Sequence, residues 1–270
     1  MKTYINPSLK RHNETSMDRN IVLKNKQEIA FMREAGRLNS KALTAVRNSI
    51  RPGITTAELD AIAEDVIRKN GAIPVFKGYP GPYPYPATLT ICINEELVHG
   101  IPGNRKLKKG DIVSVDCGTK YKGFVGDSAF SIGVGEITPQ AQNLLDITQQ
   151  SLYEGIKKMR AGNRIGDVSA SIQEYVEGYG LHVTRIYTGH GVGRKMHEGP
   201  QLPNYGTPGK GLVLQPGMTI AIEPMVLVGT DKTRVLKDMW TVVSSDGSLT
   251  AHFEHTVGVT EGDPVILTNP

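Results

Sequence analysis

Apolar residues recur at helical spacing in three separate stretches. The first runs through Ile29, Met32, Gly36, Leu43, Val46 and Ile50, a stripe of the kind that one face of an amphipathic helix presents. Asn25 with Glu28 supplies a capping-box start, and Arg51-Pro52-Gly53 a stop. The second is opened by Thr55 with Glu58, carries Leu59, Ile62, Ala63, Val66 and Ile67, and ends at Gly71. The third begins at Thr138-Pro139 and runs through Leu144, Leu145, Ile147, Leu152 and Ile156. Short β-rich runs predict strands at Ile73–Phe76, Leu89–Ile93, Ile112–Val115, Phe124–Phe130, Thr219–Pro224 and Ala251–Val257. The stretch 78–87, GYPGPYPYPA, cannot be regular, because its prolines forbid it; it holds three tyrosines on a stiff loop.

The pattern then repeats. Residues 50–71 match 159–180 at an offset of 109, with Arg51 on Arg160, Gly53 on Gly162, Leu59 on Val168 and Gly71 on Gly180. Residues 107–116, LKKGDIVSVD, match 214–223, LQPGMTIAIE, at an offset of 107, and the last aligned pair is Asp116 with Glu223. Two segments held at nearly one offset predict two related halves, about 26–134 and 138–260, each helix–helix–strand–strand.

The stretch 111–129 carries the first candidate chemistry. Its two strands, separated by a gap at Gly118–Gly123, read as a hairpin. A turn centred on Tyr121–Lys122 would set Asp116 directly opposite Asp127. Like charges so placed are destabilising, and in a half-buried setting they need a cation between them or a proton on one. The second half matches this pair with Glu223 in IAIEP and Glu254 in AHFEHTV. Four strand-borne carboxylates in related hairpins point to a shared ion site, and their charge balances two divalent cations.

Among the seven histidines, His190 in TGHGVG, His197 in MHEGP and His99 in LVHGIPG lie in glycine-marked motifs. The glycines flanking His190 suggest a backbone that passes close to something bulky. His12 belongs to the tail, and His182, His252 and His255 stand without a supporting motif and read as surface or core residues. Four carboxylates with one imidazole suit manganese, iron or cobalt, and zinc is compatible. The two remaining histidines are then free for acid–base or hydrogen-bonding work.

Composition narrows the class. A chain of 270 residues, 39% hydrophobic, can bury a sizeable core. Its start lacks the apolar segment of a signal peptide, no run is long enough to span a bilayer, and the two cysteines cannot build a disulfide scaffold. These features fit a reducing, cytoplasmic setting. Residues 1–26 hold six Lys/Arg and two Asp/Glu, whereas the remainder is neutral with 25 of each. The basic character therefore belongs to a flexible tail, 1–22, preceding one folded unit, 23–270. Such an arm suits an anionic surface such as ribosomal RNA, although a solvated terminus is the simpler reading.

The set ELVHGIPG, SVDCGTKYKGFVGDSA, TGHGVGRKMHEGP, IAIEPM and FEHTV, in this order from about residue 22 to the end, resembles the type I methionine aminopeptidases. These are pita-bread metallopeptidases, a group that includes prolidase and aminopeptidase P. The resemblance implies an α+β pita-bread fold and two divalent cations held by Asp116, Asp127, His190, Glu223 and Glu254. It implies His99 and His197 as catalytic histidines beside the substrate and Glu223 as general base. The implied reaction is attack of an activated water on the first peptide bond, releasing N-terminal methionine ahead of a small residue. A thioether needs an apolar, partly aromatic pocket, for which Phe76, Tyr79, Tyr85, Met196 and Trp240 are the candidates. Val98 and Met196 depart from the Cys and Phe found there in other members. The expected partners are N-termini of nascent polypeptides, with no DNA or membrane, and the expected state is a monomer. Prolidase and aminopeptidase P carry a large N-terminal domain for which 26 residues are too few, and 30 residues between Glu223 and Glu254 leave no room for the helical insert of type II enzymes. A pita-bread binding protein without catalysis is the alternative class, and it would be expected to lack ligands that are all present here.

Overall fold

A computed structural model describes residues 21–269 of the chain, so most of the basic tail lies outside the described residues. Asn25 caps helix α1 (Lys26–Ser49), and its side chain and that of Glu28 close the capping box in both directions. Thr55 and Glu58 do the same for α2 (Thr56–Lys69). Short β1 (Ile73–Pro74) precedes the proline-tyrosine loop, which leads to β2 (Leu89–Ile93) and β3 (Glu96–Val98). The long hairpin β4 (Ile112–Tyr121) and β5 (Phe124–Gly133) completes the first half. The second opens with α3 (Pro139–Lys157), capped by Thr138, and α4 (Ile165–Gly178). Strands β6 (His182–Val183), β7 (Thr188–Gly191), β8 (Glu198–Pro203), β9 (Thr219–Ile222) and β10 (Met225–Leu227) follow. The chain ends through β11 (Thr233–Val235), β12 (Val242–Ser244), β13 (Thr250–His252), β14 (Glu254–Gly258) and β15 (Val265–Ile266).

The result is α+β. One mixed-length antiparallel sheet runs β1-β4-β5-β14-β9-β7-β8, with β2 on β4 and β15 on β14, and the helices pack against it. The main core joins the apolar faces of the helices to the sheet: Leu59, Leu89, Ile112, Leu144 and Ile172 are fully enclosed. Leu59, Ala63 and Ile67 of the predicted α2 stripe are buried, and Ile62 and Val66 pack at its margin.

The offset of 109 recurs in three dimensions. α2 and α4 begin and end at equivalent residues, and Gly53 and Gly162 both sit at φ 90°. Gly53 N–H donates to Leu107 O at 2.8 Å, as Gly162 N–H does to Leu214 O at 3.0 Å. The bridges Thr55 to Lys106 and Arg164 to Val213 repeat the match.

Four expectations need correction. The central hairpin turns at Lys122-Gly123, not Tyr121–Lys122, and the strands pair without the predicted gap. Lys122 and Gly123 both have positive φ, 47° and 85°, which suits the type I′ turn whose twist matches two right-handed strands. Asp116 therefore pairs with Ala129 and Asp127 with Gly118, so the aspartates are diagonal neighbours. A slip of two residues keeps a side chain on its face, so both carboxylates still point the same way. The strand predicted at Ile73–Phe76 shrinks to two residues, because the chain leaves the sheet edge after Val75, whose N–H still donates to Gly118 O at 3.1 Å, to begin the proline-tyrosine loop.

Asn39, fully buried on α1, ties that helix to the hairpin. Its amide donates to Cys117 O and to Gly126 O, and its Oδ1 accepts from Ser128 Oγ at 2.6 Å. Gly36 and Gly126 meet just above, where a Cβ on Gly126 would lie 2.6 Å from the helix backbone. Asn39→Ala leaves two backbone carbonyls and a hydroxyl without this partner in a closed interface. We expect a loss of roughly 2–3 kcal/mol, read as a lower urea midpoint with an unchanged denaturant slope.

Candidate active site

The registers bring the candidate ligands into adjacent rows on one sheet face. Asp116 pairs with Ala129, Ala129 also pairs with Glu254, and Glu223 directly follows Ile222, the partner of His255. The small Ala129 leaves open space between two acidic neighbours. Asp127 lies two residues before Ala129, fixed by Thr256, whose hydroxyl donates to Asp127 O at 2.8 Å and accepts from its N–H at 3.1 Å. His190 on β7 pairs with Ala221 of β9. Its flanking glycines face other strands: a Cβ on Gly189 would meet Ala221 O at 2.4 Å, and one on Gly191 would meet Gly199 O at 2.0 Å. The bulky neighbour expected from these glycines is thus sheet backbone.

The side chains converge. One ligand atom each from Asp127, His190 and Glu254 lies within 4.8 Å of the other two, all three residues being buried. His190 Nε2 is 3.6 Å from Asp127 Oδ2 and 3.5 Å from Glu223 Oε1. His190 Nδ1 meets Gly191 O at 2.9 Å, which leaves Nε2 as the free lone pair. Asp116 Oδ1, Asp127 Oδ1 and Glu254 Oε1 are buried with no hydrogen-bond partner. Oxygens orphaned in this way, with a neutral imidazole, are the donor set a hard or borderline divalent cation takes.

Charge tells the same story. Burial, reinforced by Asp127, holds Asp116 well above the usual carboxylate range. Burial, then the charges of Asp127 and Asp116, does the same to Glu223 and Glu254. Asp127 is pushed by burial to about 7, and burial lowers His190 to about 4. A carboxyl raised in the folded state favours folding while protonated and loses that contribution as pH rises through its folded value. The buried histidines His99, His190, His252 and His255, held near 3 to 4, act with the opposite sign up to about pH 6.5, so metal-free protein should melt at lower temperature as pH rises from about 6.5 through 7 and beyond. Adding Mn²⁺ at the upper end should reverse the trend, since deprotonated ligands bind metal best. Melting scans with chelator and with metal across that range check both signs.

Around this centre stand the remaining candidates. His99 directly follows β3 in the left-handed region at φ 62°, a conformation that costs a non-glycine residue about 1 kcal/mol or more. Its ring packs edge-on against Tyr187 and Trp240, with centroids 5.8 and 6.3 Å away, and burial lowers its pKa to about 4. His197 sits at the exposed mouth, its ring 4.2 Å from that of His190. Tyr79 Oη and His197 Nδ1 are 2.5 Å apart. Phe76, Tyr85 and Met196 belong to a second apolar cluster, separate from the main core, with Tyr79 and Trp240 at its margin. Trp240 packs edge-on against Tyr85 at 5.1 Å and against Tyr83 at 6.2 Å. Gly118, opposite Asp127, allows this cluster to approach: a Cβ there would lie 2.4 Å from Val75, 2.9 Å from Phe76 and 3.2 Å from Met196 Sδ.

Sequence reading missed three residues beside the site. Lys24 and Glu198, which follows His197, form a buried ion pair at 2.7 Å. His252, set aside for want of a motif, is buried with Nε2 at 3.9 Å from Glu223 Oε2 and 4.0 Å from Glu254 Oε2. Its position two residues before Glu254, on the same side of an extended chain, was the one available hint.

Known proteins resemble the chain over nearly its whole length. A methionine aminopeptidase of Clostridium perfringens is 49% identical over 248 residues, covering 92% of this chain and 98% of that one. One of Bacillus subtilis is also 49% identical over 248 residues, covering 92% and 99%. The crystal structure of methionine aminopeptidase from Thermotoga maritima matches with a TM-score of 0.90 at 46% identity, covering 93% of this chain and all of that one. Prolidase from Pyrococcus furiosus, 24% identical with a TM-score of 0.75 over 94% of this chain and 67% of its own, shares the fold. The profile of metallopeptidase family M24 matches residues 30–261. The chain belongs to metallopeptidase family M24 and carries its pita-bread fold.

Proposed function

We propose that this chain is a metal-dependent aminopeptidase that removes N-terminal methionine from peptides and nascent proteins, preferring a small second residue. The observation that carries the reading is the convergence of buried carboxylates on His190, with three of their oxygens unpartnered, in a chain nearly half identical to methionine aminopeptidases. Asp116, Asp127, His190, Glu223 and Glu254 would hold two divalent cations, cobalt, manganese, iron or zinc. When bound, such cations supply the Lewis acidity that acidifies water and polarises a peptide carbonyl.

The chain's own groups do the rest. Glu223, its proton affinity raised by burial and by two aspartates, accepts the proton of the attacking water. His197 at the mouth donates to the oxygen that gains charge at the tetrahedral stage. His99, neutral at physiological pH, hydrogen-bonds the scissile amide and assists the leaving amine. Phe76, Tyr79, Tyr85, Met196 and Trp240 offer the methionine side chain apolar and aromatic surface. Substrates of this kind belong to the cytoplasm, and none of the described helices is long and apolar enough to cross a membrane.

The test is hydrolysis of Met-Ala, Met-Leu and X-Pro peptides by protein supplied with each metal in turn. Fast release of methionine from Met-Ala, slower release from Met-Leu and none of residue X supports the reading. Preferential cleavage of X-Pro peptides would overturn it.

A further inference from the structure

Glu223 divides its two oxygens between two imidazoles. Oε1 faces His190 Nε2 at 3.5 Å, and Oε2 faces His252 Nε2 at 3.9 Å. His252 also lies 4.0 Å from Glu254 Oε2, and its Nε2 is buried without a hydrogen-bond partner. Its backbone is pinned on both sides by Ser131 of the central hairpin, which donates to His252 O at 2.7 Å and accepts from His252 N–H at 3.0 Å. Ser131 in turn meets Ser114 Oγ at 2.6 Å, on the strand that carries Asp116. β13 also pairs with β10 through His252 and Met225, so the ring is aimed into the site by strands on either side.

We propose that His252 is a positioning residue of the metal centre, donating its Nε2–H to the Glu223 oxygen turned away from His190. The proposal rests on the assignment of Glu223 and Glu254 as ligands. A buried N–H directed at carboxylates needs an acceptor, and those two glutamates supply the acceptors facing it. The 3.9 Å separation is closed by a shift of about 1 Å or spanned by one bridging water, since an N–H···O bond measures about 2.9 Å. Holding one oxygen leaves the other directed at the ion, the role that partners of ligating carboxylates fill in metal sites generally.

The experiment is a Mn²⁺ titration of chelator-stripped full-length protein by calorimetry, with bound metal counted independently. His252→Ala should weaken Mn²⁺ binding by about 10–100-fold, the usual loss for a residue that orients a ligand. His252→Gln, whose amide N–H reaches the place of Nε2, should recover to within a few-fold of wild type. His252→Asn, whose amide matches Nδ1 and stops short, should not. A merely structural role would lower the melting temperature of the metal-free variants and leave affinity unranked by donor reach. Equal affinity in wild type and His252→Ala would overturn the proposal while leaving the ligand assignment standing. Should the Ala variant fail to fold, Asn binding as tightly as Gln overturns it as well. Wild-type protein that takes up no Mn²⁺ would instead bring down the ligand assignment itself.

Discussion

Glu254→Gln and Asp116→Asn should each abolish hydrolysis of Met-Ala while leaving the protein folded. Both exchanges are nearly isosteric, so the sheet keeps its packing, and each removes one of the negative charges that would offset bound cations. Metal ions supply several kcal/mol of transition-state stabilisation, so losing one costs roughly a thousandfold or more in rate. The prediction has a second, opposite arm. In the metal-free protein these carboxylates have unpartnered oxygens, and burial, reinforced by their mutual repulsion, pushes them toward protonation. Replacing one by a neutral amide relieves that repulsion. At pH 8 each variant should melt higher than wild type in chelator and lower than wild type in saturating metal. Activity and the two melting curves, measured on one preparation with its metal content, check all three signs. Near wild-type turnover with ordinary metal content would exclude the residue as a ligand.

What the sequence made legible was local or repeated. The capping boxes at Asn25 and Thr55 are written within four residues, so no tertiary context was needed to read them. The relation between halves was visible because glycines at positive φ, such as Gly53 and Gly162, are hard to replace and so mark equivalent turns. The four acidic positions stood out because an acidic residue in an apolar strand demands a reason. The hairpin register was less legible: Lys122 is not a residue that advertises the left-handed conformation it adopts, and a two-residue slip leaves the faces unchanged. Asn39 reads as one polar interruption in an amphipathic helix, because its partners lie some eighty residues away. His252 was barely legible for the same reason, its spacing from Glu254 being the one hint. Its setting depends on the pairing of β13 with β10 and on Ser131, none of which has a local signature.

The histidines offer the sharpest separation of ligand from catalyst. His190 is buried between strands with Nδ1 engaged by a carbonyl and Nε2 facing Asp127 and Glu223. His190→Ala should therefore weaken metal binding by 100-fold or more, beyond the 10–100-fold typical of partners that only orient a ligand. His99 packs against Tyr187 and Trp240, and His197 meets Tyr79 and the ring of His190. His99→Ala and His197→Ala should keep the wild-type metal content and lose about 10²–10⁴ in kcat, the contribution of one acid–base or oxyanion group. Raising the metal concentration should restore part of the activity of His190→Ala and none of that of the other two. The three variants are compared by titrating activity against Mn²⁺ and counting bound metal at each point. A His197→Ala protein that loses metal, beside a His190→Ala protein that keeps it, would exchange the two roles. It would also remove the oxyanion donor from the mouth of the site.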